Sequence, residues 1–230
     1  MSQFLEALPV LSDKPYLCLV TDPAVAGDSL LERVVQAVQG GVNLVQLRDK
    51  TLPAGRLLEL AVPLLEVMDG KAKLIVNDRA DVARAAGADG VQLGEEGLPV
   101  AAARRSLGEG LLIGRSVHSL SSALTAEADG ADFLLVGTMY ASRSHPGEPP
   151  AGPGLMRDIS EQCRLPLIGI GGITPENADE IIQAGASGVA VITNILAASD
   201  PRSAAEKMKE ILLASWKSRN VLVDAEVGDD

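Results

Sequence analysis

The feature that most constrains this chain is a weak internal repeat, in which a helix-like segment ends in Gly or Gly-Ala and runs into a short apolar strand. Four copies are recognisable: GGVNLVQLRDK at 40–50, GADGVQLGEE at 87–96, GADFLLVGT at 130–138 and GASGVAVITN at 185–194. They recur every roughly 45 to 55 residues, well beyond the about 30 residues of one βα unit. Each interval therefore has to hold a second strand. YLCLVTD at 16–22, KLIVND at 73–78, LLIGRSVH at 111–118 and PLIGIGGI at 166–173 supply it, for a total of eight.

Between the strands, SLLERVVQAVQ at 29–39, SALTAEA at 122–128 and NADEIIQA at 177–184 repeat apolar residues at three and four and predict helices. Continuous Val/Ile/Leu runs suit parallel strands buried on both faces, and strict alternation of strand and helix predicts an α/β chain with a parallel sheet. The 230 residues fall within the about 200 to 250 of a one-domain barrel. The expected fold is a single (β/α)8 TIM barrel over residues 1–220, with a doubly wound open sheet as the alternative. The last ten residues, VLVDAEVGDD at 221–230, are acidic and lack a helical period, which predicts a disordered tail.

Composition narrows the ligands. A formal net charge of −11 and only five aromatic residues give neither the electrostatic footprint nor the stacking platform of a nucleic-acid binder. Small anionic ligands fit only if basic groups are gathered locally against the overall field. No run approaches the ~18 apolar residues of a membrane span. Met1 to Leu11 carries Glu6 and no basic leader, so the expectation is a cytoplasmic protein without a membrane partner. Cys18 and Cys163 sit inside apolar runs without metal or redox spacing and predict buried free thiols. A homo-oligomer stays open.

In such a barrel the reactive groups stand at the C-terminal ends of the strands. Here every strand carries its polar or glycine residues at that end: Thr21-Asp22, then Gln46, Arg48 and Lys50, then Asn77-Asp78 and Glu95-Glu96. Ser116 and His118, the loop from Ser142 to His145, Gly171-Gly172 and Thr193-Asn194 complete the set. Side chains alternate across a strand, so Gln46, Arg48 and Lys50 share one face, while Val45, Leu47 and Asp49 take the other. The planar fork of Arg and the point charge of Lys suit a pyrophosphate; a solvated strand end is the plainer alternative. Asp78 reads either as a cap for a helix beginning near Arg79 or as a magnesium ligand beside a bound anion. Glu96, or Glu95, reads as a second carboxylate or as part of a solvated turn. Gly171-Gly172 precedes Thr174, a helix cap, and Pro175, a first helical residue, which predicts backbone N–H groups facing a phosphate. Ile192-Thr193 would form the other side of that cup; close strand-to-helix packing is the alternative use of the glycines. The only histidines are His118 at a strand end and His145 in SRSHPGEPPAGPG at 142–154, a stretch that predicts a long loop over the mouth. Each histidine reads as structural or as an acid–base group.

Taken in order, QLRDK, VNDRADVA, GVQLGEEGLPV, GRSVHS, the Gly-Thr-Met-Tyr strand with its loop, and IGIGGITPENADEIIQAGASGVAV resemble the thiamine phosphate synthase family over nearly the whole barrel. Single pieces are modest signals; their order and spacing are specific. The resemblance implies a transferase that joins hydroxymethylpyrimidine pyrophosphate to thiazole phosphate and releases pyrophosphate. In that dissociative path a pyrimidine methyl cation forms and the thiazole nitrogen captures it. Carried over by resemblance, Gln46, Arg48, Lys50 and Asn77 hold the pyrimidine pyrophosphate, Asp78 holds Mg2+, and Ser116 contacts the pyrophosphate. Ser142, Ser144 and His145 line the lid, while Gly171, Gly172, Ile192 and Thr193 seat the thiazole phosphate. Arg48, Lys50, Ser116 and His118 form the implied catalytic set. Two departures stand out: Glu95-Glu96-Gly97 replaces the family's Gln-Glu/Asp-Asp, so Glu96 is expected to reach the ion instead, and His145 replaces a lysine that grips the leaving group. Val91-Gln92-Leu93 and GRSVHS lie nearer a thiazole tautomerase branch, in which the histidine corresponding to His118 moves a proton during aromatisation of a thiazole carboxylate phosphate. That activity, or a non-catalytic phosphate-ligand barrel, is the alternative function.

Overall fold

The computed structural model describes residue 11 and residues 14–141 and 149–227, with side chains through Val221. The chain opens with β1 (Tyr16–Val20), α1 (Pro23–Ala26) and α2 (Leu30–Gln39), followed by β2 (Leu44–Leu47), α3 (Ala54–Met68), β3 (Lys73–Asn77) and α4 (Ala80–Ala86). Next come β4 (Gly90–Leu93), α5 (Val100–Leu107), β5 (Leu112–Val117), α6 (Leu120–Ala128), β6 (Phe133–Val136) and α7 (Gly152–Ser160). The last units are β7 (Leu167–Ile170), α8 (Ala178–Gln183), β8 (Gly188–Val191), α9 (Thr193–Leu196) and α10 (Pro201–Val227). The eight strands pair in sequence order and all in parallel, and β1 closes on β8 with Tyr16 opposite Gly188. That closing ladder removes the open-sheet alternative.

Strand alternation builds two cores. Leu17, Leu19, Val45, Leu47, Leu74 and Val76 face the helices, whereas Tyr16, Cys18, Val20, Leu44 and Ile75 point into the barrel. The interior face is apolar at the lower end, where the Tyr16 hydroxyl donates to the Leu11 carbonyl oxygen at 2.6 Å, and becomes polar toward the C-terminal ends of the strands. Gln46, Asn77, Gln92 and Ser116 are the interior residues one step above it, so the period-two rule that fills the core also aims the polar groups. Both cysteines are buried and free, and burial pushes the Cys18 thiol up to about 12 although a backbone hydrogen bond at Gln46 opposes the shift.

Two local expectations are corrected. Residues 221–227 continue α10 rather than forming a tail, because no proline or glycine interrupts the helix before Gly228; 228–230 lie outside the described residues. Thr174 does not cap α8. Asn177 occupies the cap position without a side-chain bond into the helix; its Oδ1 accepts from the Thr174 N–H at 2.8 Å and its Nδ2 donates to the Gly172 carbonyl at 3.1 Å. Residues 174–177 form a turn around that amide, and the helix starts one turn later. Among the described residues no helix is long and apolar enough to cross a membrane.

Candidate active site

A cavity of about 1400 Å3 opens at the C-terminal ends of the strands. The structure brings Gln46, Arg48 and Lys50 from β2 and its continuation to one wall of it, with Asn77 and Asp78 beside them. Ser116 and His118 come from the end of β5, Glu95 and Glu96 from the turn after β4, and Gly171, Gly172, Ile192 and Thr193 from the far side. The loop positions Ser142, Ser144 and His145 lie outside the described residues. Apolar residues Val20, Leu135, Ile170 and Ala190 form the floor. The volume exceeds the about 300–1,000 Å3 of a common single-ligand pocket, which leaves room for two small substrates side by side.

The side chains are fixed by one another. Gln46 is buried and its Nε2 donates to Asn77 Oδ1 at 2.7 Å; Asn77 Nδ2 in turn donates to Asp78 Oδ2 at 2.8 Å. Asp78 Oδ1 accepts from the Gly94 N–H at 2.7 Å, and the Asp78 N–H donates to the Gln92 carbonyl oxygen at 2.8 Å. These bonds hold Asp78 in the left-handed region at φ 56, which a non-glycine residue enters only with support of this kind. The carboxylate therefore serves the mouth, and the helix-capping alternative is removed: α4 begins at Ala80 behind Arg79, with no side-chain cap.

Gly94 and Gly97 cradle Asp78. A Cβ built on Gly97 would lie 2.8 Å from Asp78 Oδ1, so no side chain crowds the carboxylate from the turn after β4. Glu96 is exposed on the same rim. Among the described residues no three of His, Cys, Asp and Glu gather closely enough to hold a metal ion by themselves. The carboxylates on this cavity are Asp78, held by its neighbours, and the exposed Glu95 and Glu96 of the rim.

Arg48 is half-buried and Lys50 exposed, and among the described residues neither has an ion-pair partner. In a chain of net charge −11, these two cations without an ion pair gather positive charge on one wall, with Asp49 beside Arg48. Across from them Gly171 and Gly172 take φ 101 and φ 63, and a Cβ on either would strike Thr138 at 2.5 Å or the Ala141 carbonyl at 2.6 Å. Only glycine fits this turn, which brings bare backbone against the cavity. His118 Nδ1 lies 3.2 Å from Glu95 Oε2 at the rim.

Three residues act in ways that the sequence reading did not assign. Thr21 is buried and clamps the end of β2: its Oγ1 accepts from the Arg48 N–H at 2.8 Å and donates to the Arg48 carbonyl at 3.1 Å. Arg115, on the outer face of β5, donates to the carbonyls of Glu95 at 2.8 Å and Leu98 at 3.1 Å and so fixes the turn that carries Glu95 and Glu96. Gln92 lies beneath Ser116 in the interior, 1% exposed. Its signals in the sequence are a lone amide inside an apolar run and its place in Val91-Gln92-Leu93.

Comparison with known proteins follows this geometry. Residues 17–195, which contain all eight strands but for the first residue of β1, match the family described as thiamine monophosphate synthase. The chain belongs to that family. A putative thiamine-phosphate synthase of Geobacter sulfurreducens is 46% identical over 200 residues, covering 85% of this chain and 93% of the relative. A thiamine-phosphate synthase of Natronomonas pharaonis is 43% identical over 189 residues, covering 80% and 88%. Among solved structures, thiamine phosphate pyrophosphorylase from Pyrococcus furiosus superposes with a TM-score of 0.80 at 35% identity, covering 87% of this chain and 96% of that one. The family expectation drawn from the ordered motifs holds, and the closed barrel is shared with that neighbour.

Proposed function

We propose that this chain is a cytoplasmic thiamine-phosphate synthase, which transfers the pyrimidine methylene of hydroxymethylpyrimidine pyrophosphate to the nitrogen of thiazole phosphate. The observation that carries the reading is that Arg48 and Lys50, two cations without an ion pair among the described residues, share one cavity with the Gly171-Gly172 turn. The pyrophosphate lies against the first and the thiazole phosphate against the second, so the reacting carbon and nitrogen meet over the apolar floor. The methylene C–O bond breaks and its electron pair leaves with pyrophosphate; the thiazole nitrogen lone pair then forms the new C–N bond. Arg48 and Lys50 neutralise the charge that grows on the leaving group, Ser116 donates a hydrogen bond to it, and Gln46 and Asn77 orient the pyrimidine. Val20, Leu135 and Ile170 keep water from the cationic carbon.

Asp78 would hold a Mg2+ ion together with the substrate phosphates, in keeping with the habit of this ion of taking one or two carboxylates beside phosphate oxygens. When bound, it supplies Lewis-acid stabilisation of the pyrophosphate. Glu96, on the same rim, is our candidate for a second carboxylate. The test is to incubate the purified protein with both substrates, with and without Mg2+, and to quantify thiamine phosphate and pyrophosphate. Magnesium-dependent release of both products is expected, with Arg48→Ala reducing kcat by roughly 100-fold or more, as loss of a transition-state donor does. Absence of thiamine phosphate under all conditions would overturn the reading.

The His118–Glu95 pair is the one observation favouring the thiazole tautomerase reading, since a carboxylate on Nδ1 leaves Nε2 for proton transfer. Under that reading His118→Ala abolishes turnover of thiazole carboxylate phosphate and Asp78→Ala does not.

A further inference from the structure

Ser116 has one hydroxyl proton and can give it to only one acceptor at a time. Its Oγ already accepts from Gln92 Nε2 at 3.1 Å, which fills one of its two lone pairs; because Nε2 cannot accept, the hydroxyl proton is directed elsewhere. The cavity that Ser116 lines is the remaining direction. Gln92 itself has no access to a ligand: it is 1% exposed and absent from the cavity wall.

The amide accepts a poor arrangement to do this. Gln92 Oε1 is the one buried side-chain polar atom among the described residues without a hydrogen-bond partner. Turned over, Oε1 would take the Ser116 proton, Nε2 would become the buried atom without a partner, and the hydroxyl would have nothing left to donate. The Leu93 carbonyl, 3.5 Å from Nε2, opposes that flip, because an oxygen in place of Nε2 would face it without a proton between them. Gly114, paired with Gln92 in the β4–β5 register, makes the arrangement fit: a Cβ there would stand 2.1 Å from Oε1. An unpaired buried acceptor destabilises a fold, so its presence beneath a mouth residue asks for a functional return.

We propose that Gln92 is a positioning residue that keeps the Ser116 hydroxyl as a donor to the anionic oxygens of the leaving pyrophosphate. The inference rests on the synthase reading of the site, and adds to it a residue that never touches the substrate. It is tested by calorimetric titration of inorganic pyrophosphate in the presence of Mg2+, with wild type, Gln92→Met, Ser116→Ala and the double variant, beside their thermal midpoints. Ser116→Ala is expected to weaken binding by about 10- to 100-fold, and Gln92→Met by about 3- to 10-fold, the ranges for charged and neutral hydrogen bonds. The double variant is expected to bind no more weakly than Ser116→Ala alone. Gln92→Met should melt at or above the wild-type temperature, since it removes the orphan acceptor.

A glutamine with a purely structural role would weaken both backgrounds equally and lower the midpoint, and that result overturns the proposal. Wild-type affinity in Gln92→Met overturns it as well. Should the methionine variant not fold, Gln92→Leu, which fills the same space between β4 and β5, is measured in the same cycle. If the wild-type protein binds no pyrophosphate, it is the synthase reading that fails; if it binds and the losses are independent, only the role of Gln92 falls.

Discussion

Arg48 stands where it does because of Thr21. The threonine hydroxyl bridges the N–H and the carbonyl of Arg48 just past the last pair of the β1–β2 ladder, where regular strand bonding stops. Thr21→Val keeps the shape and removes both bonds, leaving two partly buried backbone groups without this partner at a cost of about 1–3 kcal/mol. Chemical denaturation should record that loss, and the KM for the pyrimidine pyrophosphate should rise several-fold, while Thr21→Ser should restore both. At this scale part of the site was legible: Gln46, Arg48 and Lys50 share a face by strand alternation alone. The clamp was not, because it depends on the register of β1 against β2, which no single segment encodes. The role of Gln92 was hidden for a similar reason, since its partner Ser116 lies on the next strand and its room is provided by a glycine there.

The turn between β4 and α5 works as a unit. Its Gly94 N–H and the space left by Gly97 set the Asp78 carboxylate, and Arg115 ties its carbonyls to β5. Gly97→Ala would put a methyl group 2.8 Å from Asp78 Oδ1 and push the carboxylate aside. The Mg2+ concentration for half-maximal activity is expected to rise by roughly 10-fold, as it does when the surroundings of a metal ligand are disturbed, with pyrophosphate affinity in metal-free buffer unchanged. An unaltered magnesium requirement would show that Asp78 does not meet the ion. Elements with a strong period were read correctly from the sequence, with bounds within one or two residues at 29–39, 122–128 and 177–184, whereas the separate start signature before α8 was not. Thr174-Pro175 carries the usual signature of a helix start, yet the Asn177 side chain folds back on Thr174 and Gly172 and the helix begins only at Ala178. A side chain that bonds backbone three and five residues away outcompetes the local preference.

Across the whole molecule, arginines join neighbouring helices next to the Gly171-Gly172 and Ile192 side of the mouth. Arg33 of α2 donates to the carbonyls of Leu196 and Ala198, closing the C-terminal end of α9, and Arg219 of α10 does the same for α8 through Ile182 and Ala186, both at 2.7 Å. A cation at a helix C-terminus satisfies the last carbonyls and complements the dipole. Each of these short helices follows a loop of the cup, Gly171-Gly172 before α8 and Ile192 before α9, so the arginines brace the cup from the rear. Arg219 also stacks on Trp216, 4.3 Å from the ring centre, and its burial in this stack lowers its pKa somewhat. Lys14 approaches the same ring at 5.9 Å, which links α10 to the entry of β1. A chain ending after Ser215 loses both contacts and the α8 carbonyl bonds, for about 2–4 kcal/mol in all. A chain ending after Val221, which is 60% exposed, keeps them. Thermal melting should therefore separate the two truncations by roughly 5–15 °C, and the first should bind inorganic phosphate more weakly because α8 and its glycine turn are no longer held. Equal melting of both truncations would mean that α10 contributes nothing past Ser215, and the brace behind the cup would have to lie elsewhere.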